Sequence, residues 1–154
     1  MSVILEKIKS LNIILPKPAT PVANYVGYVK SGNMVFISGQ LPIKDGKLEF
    51  IGKVGEQISI EDATKAAQLC TINILSQLND ACENNLDNVK KCVKLGIFVN
   101  GVPDFTDHPK VANGASDLIA DIFGDKGKHA RAAVGSGSLP FNVSVEVDAI
   151  FEIE

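Results

Sequence analysis

The sequence predicts an α+β fold: one domain over residues 1–154, with a mixed sheet carrying two helices on one face. Two segments, one opening at Ser59 and one at Pro109, place apolar residues at steps of three and four, which is the helical period. Segments rich in β-branched or alternating apolar residues precede, separate and follow them, in the order β-β-(β)-α-β-α-β-β. A chain of 154 residues with 45 % apolar content can bury a sufficient core without disulfide or metal staples.

Taken in order, residues 1–20 read as a short amphipathic helix followed by an extended arm. Glu6, Lys7 and Lys9 interrupt Val3, Ile4, Leu5, Ile8 and Leu11, so this is not the apolar segment of a signal peptide. Pro16, Pro18 and Pro21 then disfavour helix. Tyr25 to Lys30 and Met34 to Ser38 are predicted strands joined by the turn Ser31-Gly32-Asn33. Lys44-Asp45-Gly46-Lys47 predicts a further turn, with a short strand from Leu48 to Ile51. Ser59, with Asp62 three residues on, resembles a capping box. From it a helical stripe runs through Ala63, Ala66, Ala67, Cys70, Ile74, Leu78 and Ala81, fading at Asn84-Asn85.

Val89 to Val99 predicts a strand, in which Gly96 marks a bulge or a close backbone approach. Pro109 suits the first turn of the second helix, which stops at Gly124. A strand at Ala130 to Gly135, a turn near Leu139-Pro140 and a long strand from Val143 to Ile153 complete the chain. With helices on one face of the sheet, its other face would expose apolar side chains, and self-association through that face is the economical cover.

Composition narrows the function. The net charge is −3 and no run of five like charges occurs, which argues against nucleic acid or an anionic membrane as partner. No stretch approaches the ~18–20 apolar residues of a membrane span. Cys70, Cys82 and Cys92 are odd in number and lie in apolar-periodic segments, as expected of buried reduced thiols in a cytoplasmic protein. With only His108 and His129 beside them, no metal-site spacing is present, and no metal is expected. Gly135-Ser136-Gly137-Ser138 matches neither phosphate-binding fingerprint and reads as a connection.

The chain has fourteen lysines and one arginine, Arg131, set among the small residues of His129-Ala130-Arg131-Ala132-Ala133. It is either an exposed strand residue or a forked donor for an anion, because a guanidinium offers parallel N–H groups where Lys offers a point charge. A single such cation suits a small monocarboxylate better than a dianion. Glu146, fifteen residues later between Val145 and Val147, is either a solvent-facing carboxylate or, if partly buried, a group that orients water or trades a proton. A reversal near Leu139-Pro140 would bring the strands of Arg131 and Glu146 alongside each other. Ser38 follows a strand without an identifiable base, Tyr25 fits core or surface, and His129 reads as a surface residue.

Two stretches together resemble the RidA/YjgF family: Gly32-Asn33-Met34 running to Ser38-Gly39-Gln40-Leu41-Pro42, and Ala130-Arg131 running through Leu139-Pro140 to Val145-Glu146-Val147-Asp148-Ala149-Ile150. The resemblance spans roughly Pro21 to Ile153 and is that of a divergent, longer branch. It implies a chorismate-mutase-like fold, a barrel-like homotrimer with clefts between subunits, and cofactor-free hydrolysis of imines such as that of 2-aminoacrylate to 2-keto acids and ammonia. It implies that Arg131 clamps the substrate carboxylate, that Glu146 helps place the attacking water, and that Tyr25, Ser38, Gly39 and Asn113 line the pocket. Ala133 stands where the family's usual cysteine is, so only its backbone could serve. The N-terminal extension and the stretch between the hairpin and the first long helix are longer than the family's usual pattern.

Three functions compete at this point: an imine deaminase, a non-catalytic trimer that binds a small carboxylate metabolite, and an endoribonuclease. Acidic charge and a lone arginine weigh against the last.

Overall fold

The computed structural model describes residues 2–21 and 23–154. Helix α1 (Val3–Ser10) opens the chain, followed by strands β1 (Tyr28–Ser31) and β2 (Met34–Gln40). A small hairpin comes next, β3 (Ile43–Lys44) and β4 (Lys47–Leu48), then helix α2 (Ile60–Ala81). Strand β5 (Val89–Asn100), helix α3 (His108–Phe123), and strands β6 (Ala130–Ser136) and β7 (Val145–Ile153) complete the order. Five strands form one sheet in the order β1-β2-β7-β5-β6, with β5 and β6 parallel and the other pairs antiparallel.

The mixed sheet and its two covering helices agree with the sequence, and their signals are visible in the contacts. The Ser59 hydroxyl accepts the Asp62 N–H at 3.1 Å, capping α2. Gly124 ends α3 with φ 60°, a conformation that favours glycine. Along β7, Val145, Val147, Ala149, Phe151 and Ile153 are buried under the helices, while the alternate residues face the other way. Leu95, Ile97 and Val99 of β5 share the covered face. The small residues Ala63, Ala66 and Ala67 let α2 lie close, and Gly114 of α3 abuts the Thr64 carbonyl where a Cβ would collide.

Four sequence expectations need correction. The first strand begins at Tyr28, and Tyr25 lies in a bend, its N–H donating to the Ala23 carbonyl. Side chains of α2 hold the preceding arm out of the sheet: Ser76 Oγ donates to the Pro16 carbonyl and Gln77 Nε2 to that of Ala19. No strand spans Leu48 to Ile51. Asp45 and Gly46 take positive φ, closing a two-residue hairpin turn between β3 and β4, and Phe50 and Gly52 turn the chain away again. The last strand begins at Val145, because residues 140–142 form a 3₁₀ turn. Finally, β6 and β7 do not lie alongside each other. Strand β5 separates them, since the β5-α3-β6 crossover places β6 at the outer edge while β7 returns between β2 and β5.

The uncovered face carries Val29, Phe36 and Val134, each 44–53 % exposed, with Phe98 and Ile150 half-buried among them. This is the apolar face the sequence predicts to be left open.

Candidate functional site

The predicted site residues fall into two groups at separate places on the protomer. Arg131 lies on edge strand β6, opposite Leu95 of β5. Its side chain reaches the N-terminal half of α3, where Nη1 donates to Asn113 Oδ1 at 2.8 Å and to Ser116 Oγ at 3.0 Å. Nη2 approaches the Pro109 carbonyl at 3.5 Å. Among the described residues no carboxylate forms an ion pair with Arg131. Ala133, two residues on, shares its side of the strand and packs at the margin of the core.

His129 completes this group. Its Nδ1 lies 2.6 Å from the Gly127 carbonyl, which can only accept, so Nδ1 is the donor of that bond. In the tautomer with its proton on Nδ1 alone, Nε2, 2.8 Å from Ser116 Oγ, accepts the serine proton. That leaves the serine's lone pairs for Arg131. The chain Arg131→Ser116→His129→Gly127 runs from donor to acceptor at each step, and the guanidinium is held with its Nε–H unused by any described residue. The sequence reading passed over Ser116 and took His129 for a surface residue. The available signal was spacing: Ser116 lies three residues after Asn113, on the same helical face.

The second group surrounds Glu146 on β7. Tyr25, Gly39, Phe141 and Glu146 line one cavity of about 330 Å³. Gly39 sits where β2 slips register against β7, between Ile37 and Gln40. A Cβ there would come 2.6 Å from Glu146 Oε2, so the carboxyl occupies the space glycine leaves. Burial, and then the charge of Asp148, push the Glu146 carboxyl above its ordinary pKa. Ser38 belongs to neither group as a donor. Its hydroxyl donates to the Val26 carbonyl at 2.7 Å, and it borders a shallow hollow with Lys94 and Asp148. Asp148 is likewise raised by burial, with Lys94 and the Gly96 N–H opposing. Gly96 is thus the close backbone approach that the sequence suggested, set against the Asp148 carboxylate.

Within one protomer the two groups are far apart. Glu146 pairs with Phe98 and Arg131 with Leu95, two strand spacings and three residues away, on the order of 14 Å. The cysteines take no part: all three are free and buried, and burial pushes the thiols up, that of Cys92 to about 12. Among the described residues no three His, Cys, Asp or Glu side chains are grouped to hold a metal ion. No helix of the described residues is long and apolar enough to cross a membrane.

Comparison with known proteins agrees with this fold. Residues 6–153 match the family model described as "YjgF/chorismate_mutase-like, putative endoribonuclease". The Trypanosoma cruzi protein TCP17 is 44 % identical over 97 % of this chain and 94 % of its own. The crystal structure of Agrobacterium tumefaciens Atu1372 superposes with a TM-score of 0.93 at 47 % identity, covering 99 % of this chain and 93 % of that one. More distantly, a 2-iminobutanoate/2-iminopropanoate deaminase of Dermatophagoides farinae is 25 % identical over 92 % of this chain and 95 % of its own. Escherichia coli TdcF, solved with bound serine, superposes with a TM-score of 0.64 at 21 % identity over 92 % and 97 % of the two chains. The sequence motifs, the sheet order and the family match converge, and the chain belongs to the YjgF/RidA family.

Proposed function

We propose that this protein is an imine deaminase whose sites form between subunits of a homotrimer. The observation that carries the proposal is the separation of the two groups. Among the described residues, a guanidinium without a carboxylate partner and a carboxyl without a cation partner sit on opposite sides of β5. They complement each other only if one protomer supplies Arg131 and Asn113 and its neighbour supplies Glu146, Tyr25 and Gly39. The open apolar face bearing Val29, Phe36 and Val134 provides the surface to bring them together.

In this reading Arg131 holds the substrate carboxylate, using the N–H groups that Asn113 and Ser116 leave free. Water adds to the imine carbon. Glu146 takes a proton from that water and gives it to the nitrogen, forming the carbinolamine; it then passes the hydroxyl proton to the amino group, so the C–N bond breaks to leave a 2-keto acid and ammonia. One water is consumed and no redox step occurs. The raised pKa of Glu146 brings it nearer neutrality, where a group can both accept and give a proton. Ser38 can accept a hydrogen bond from the substrate but has its own proton engaged, and Ala133 offers its backbone alone. The site takes no metal or organic cofactor. Three free thiols suit a reducing compartment such as the cytoplasm.

A distant relative named as a deaminase of this class supports the reading. The bound serine in TdcF favours the second reading, a trimer that binds a small carboxylate without acting on it. An endoribonuclease has less support, since the net charge is −3 and Arg131 is the sole arginine.

A coupled assay tests the proposal. A serine or threonine dehydratase supplies the imine, and keto-acid release is followed with and without the protein. Acceleration that disappears in Arg131→Ala is the expected result. No acceleration, together with measurable keto-acid binding, would favour the second reading.

A further inference from the structure

The cavity beside Glu146 is larger than a two- or three-carbon imine needs. It measures about 330 Å³, and its walls come mostly from outside the five-stranded sheet. The proline-rich arm contributes Pro21, and the β3–β4 hairpin contributes Ile43 and Leu48. Leu41 and Phe141 close the remainder, and Glu146 is the one charged residue in the lining.

Phe141 is placed there against its local preference. It takes φ 56° and ψ 20°, a left-handed conformation that a bulky side chain seldom adopts. Its neighbour is anchored by a buried asparagine: Asn100 Nδ2 donates to Asn142 Oδ1 and to the Val143 carbonyl, both at 3.1 Å. Lys53 Nζ in turn donates to Asn100 Oδ1 and to the Gly137 carbonyl, both at 2.8 Å. These contacts hold the turn so that the Phe141 ring, 65 % exposed, borders the cavity rather than folding into the core.

Resting on the deaminase reading, we infer that the substrates are 2-imino acids with bulky apolar side chains, of the branched aliphatic or aromatic kind, and that this cavity receives the side chain. An apolar hollow adjoining one protonatable carboxyl matches such a molecule at both ends. Each methylene the side chain buries favours the larger substrate severalfold, so four or more carbons amount to tenfold or more.

The test compares two ligands in two measurements. Binding of 4-methyl-2-oxopentanoate and of pyruvate, the leucine- and alanine-derived products, is measured by calorimetry. Hydrolysis of the corresponding imines, generated by an amino-acid oxidase and competed with semicarbazide, gives the ratio of kcat/KM. The expected result is at least about tenfold preference for the larger member in both. Filling the cavity with Leu48→Trp should reduce that ratio about tenfold, and where this variant fails to fold, Ile43→Phe probes the same space. Equal or reversed preference, or a ratio that neither filling variant moves, overturns the inference. Preferential binding of the larger keto acid without hydrolysis of either imine upholds the cavity and removes the deaminase reading. If neither keto acid binds and neither imine is hydrolysed, both are overturned.

Discussion

The Arg131 group and the Glu146 group are built on opposite physical plans. Around Arg131 the polar groups are linked in a chain: the guanidinium to Asn113 and Ser116, the serine to His129, the imidazole to a backbone carbonyl. Such a chain fixes a cation in one orientation before any ligand arrives, which lowers the entropy cost of binding. Around Glu146 the walls are apolar, a glycine clears the space, and the carboxyl has no hydrogen-bonding side chain among the described residues. That environment makes proton affinity adjustable instead of fixing an orientation. On the proposed reading one group holds the ligand and the other exchanges a proton, and neither alone suffices for hydrolysis.

The largest effect is expected from separating them genetically. Arg131→Ala and Glu146→Gln should each lower kcat/KM by about a hundredfold or more. Co-expressed in equal amounts, the two variants should recover activity. Random assembly makes about three quarters of trimers mixed, each with one intact site of three, so about a quarter of wild-type activity returns. No recovery in demonstrably mixed trimers would place the whole site within one protomer. Gly39→Ala should resemble Glu146→Gln in activity, because its methyl displaces the carboxyl.

A smaller effect isolates the relay. Ser116→Ala removes one acceptor from Arg131 and the hydroxyl donor from His129 Nε2. A lost hydrogen bond to a charged group predicts KM higher by about tenfold with kcat little changed. Ser116→Thr, which keeps the hydroxyl, should restore most of the loss. His129→Gln, which retains an acceptor near Nε2, should be milder than His129→Phe. A fall in kcat alone would show that Ser116 acts on the chemistry and not on carboxylate capture.

The contrast also accounts for what the sequence could disclose. Arg131 stood out because it is the only arginine among fourteen lysines, and Glu146 because it breaks a run of valines. The helices and the long strand were legible because periodicity and caps are local properties. The placement of β7 between β2 and β5 was not, since strand order is decided by which pairing buries the most apolar area, and that involves residues far apart in the chain. The same reason hid the gap between Arg131 and Glu146, whose motif spacing suggested neighbouring strands. Ser116 and His129 were missed because their meaning lies in the direction of three hydrogen bonds, which composition does not encode. The turn at Lys44-Asp45-Gly46-Lys47 was legible from Asp45-Gly46, but the strand expected from Leu48 to Ile51 was not there, because the strands flanking the turn are only two residues long.

Stability against pH distinguishes the groups more finely. Glu146 has a folded pKa raised by burial and then by Asp148, so the unfolded chain ionises first as pH rises. Its contribution to stability is therefore present below the unfolded value and is lost as pH rises through the folded one. Glu146→Gln cannot ionise, so its Tm should exceed the wild type's by a few degrees near neutral pH and converge with it in acid. Asp148→Asn removes one of the two causes and should shift the activity profile's Glu146 limb to lower pH. A wild-type protein as stable as Glu146→Gln at neutral pH would mean that the carboxyl is solvated in the assembled protein.

The smallest effect belongs to a carboxylate on neither side of the comparison, and it serves as the control for both. Asp87 accepts the Ile4 N–H at 3.0 Å, the Ser2 hydroxyl at 2.9 Å and the Val3 N–H at 3.1 Å, so it closes the N-terminus of α1 from the 3₁₀ turn that precedes β5. These bonds, that to Ile4 foremost, hold the carboxyl below its ordinary pKa. The sign is opposite to that of Glu146: the contribution is present above the unfolded value and lost as pH falls through the folded one. Asp87→Ala should speed hydrogen exchange of the α1 amides, residues 3–10, at neutral pH, and leave the β5 and β7 amides and the imine hydrolysis rate as they were. The wild type should show the same local exchange only in acid. Loss of activity in Asp87→Ala would mean that α1 transmits its position to α3 and hence to Arg131, and the Arg131 group would then depend on tertiary support beyond its own hydrogen bonds.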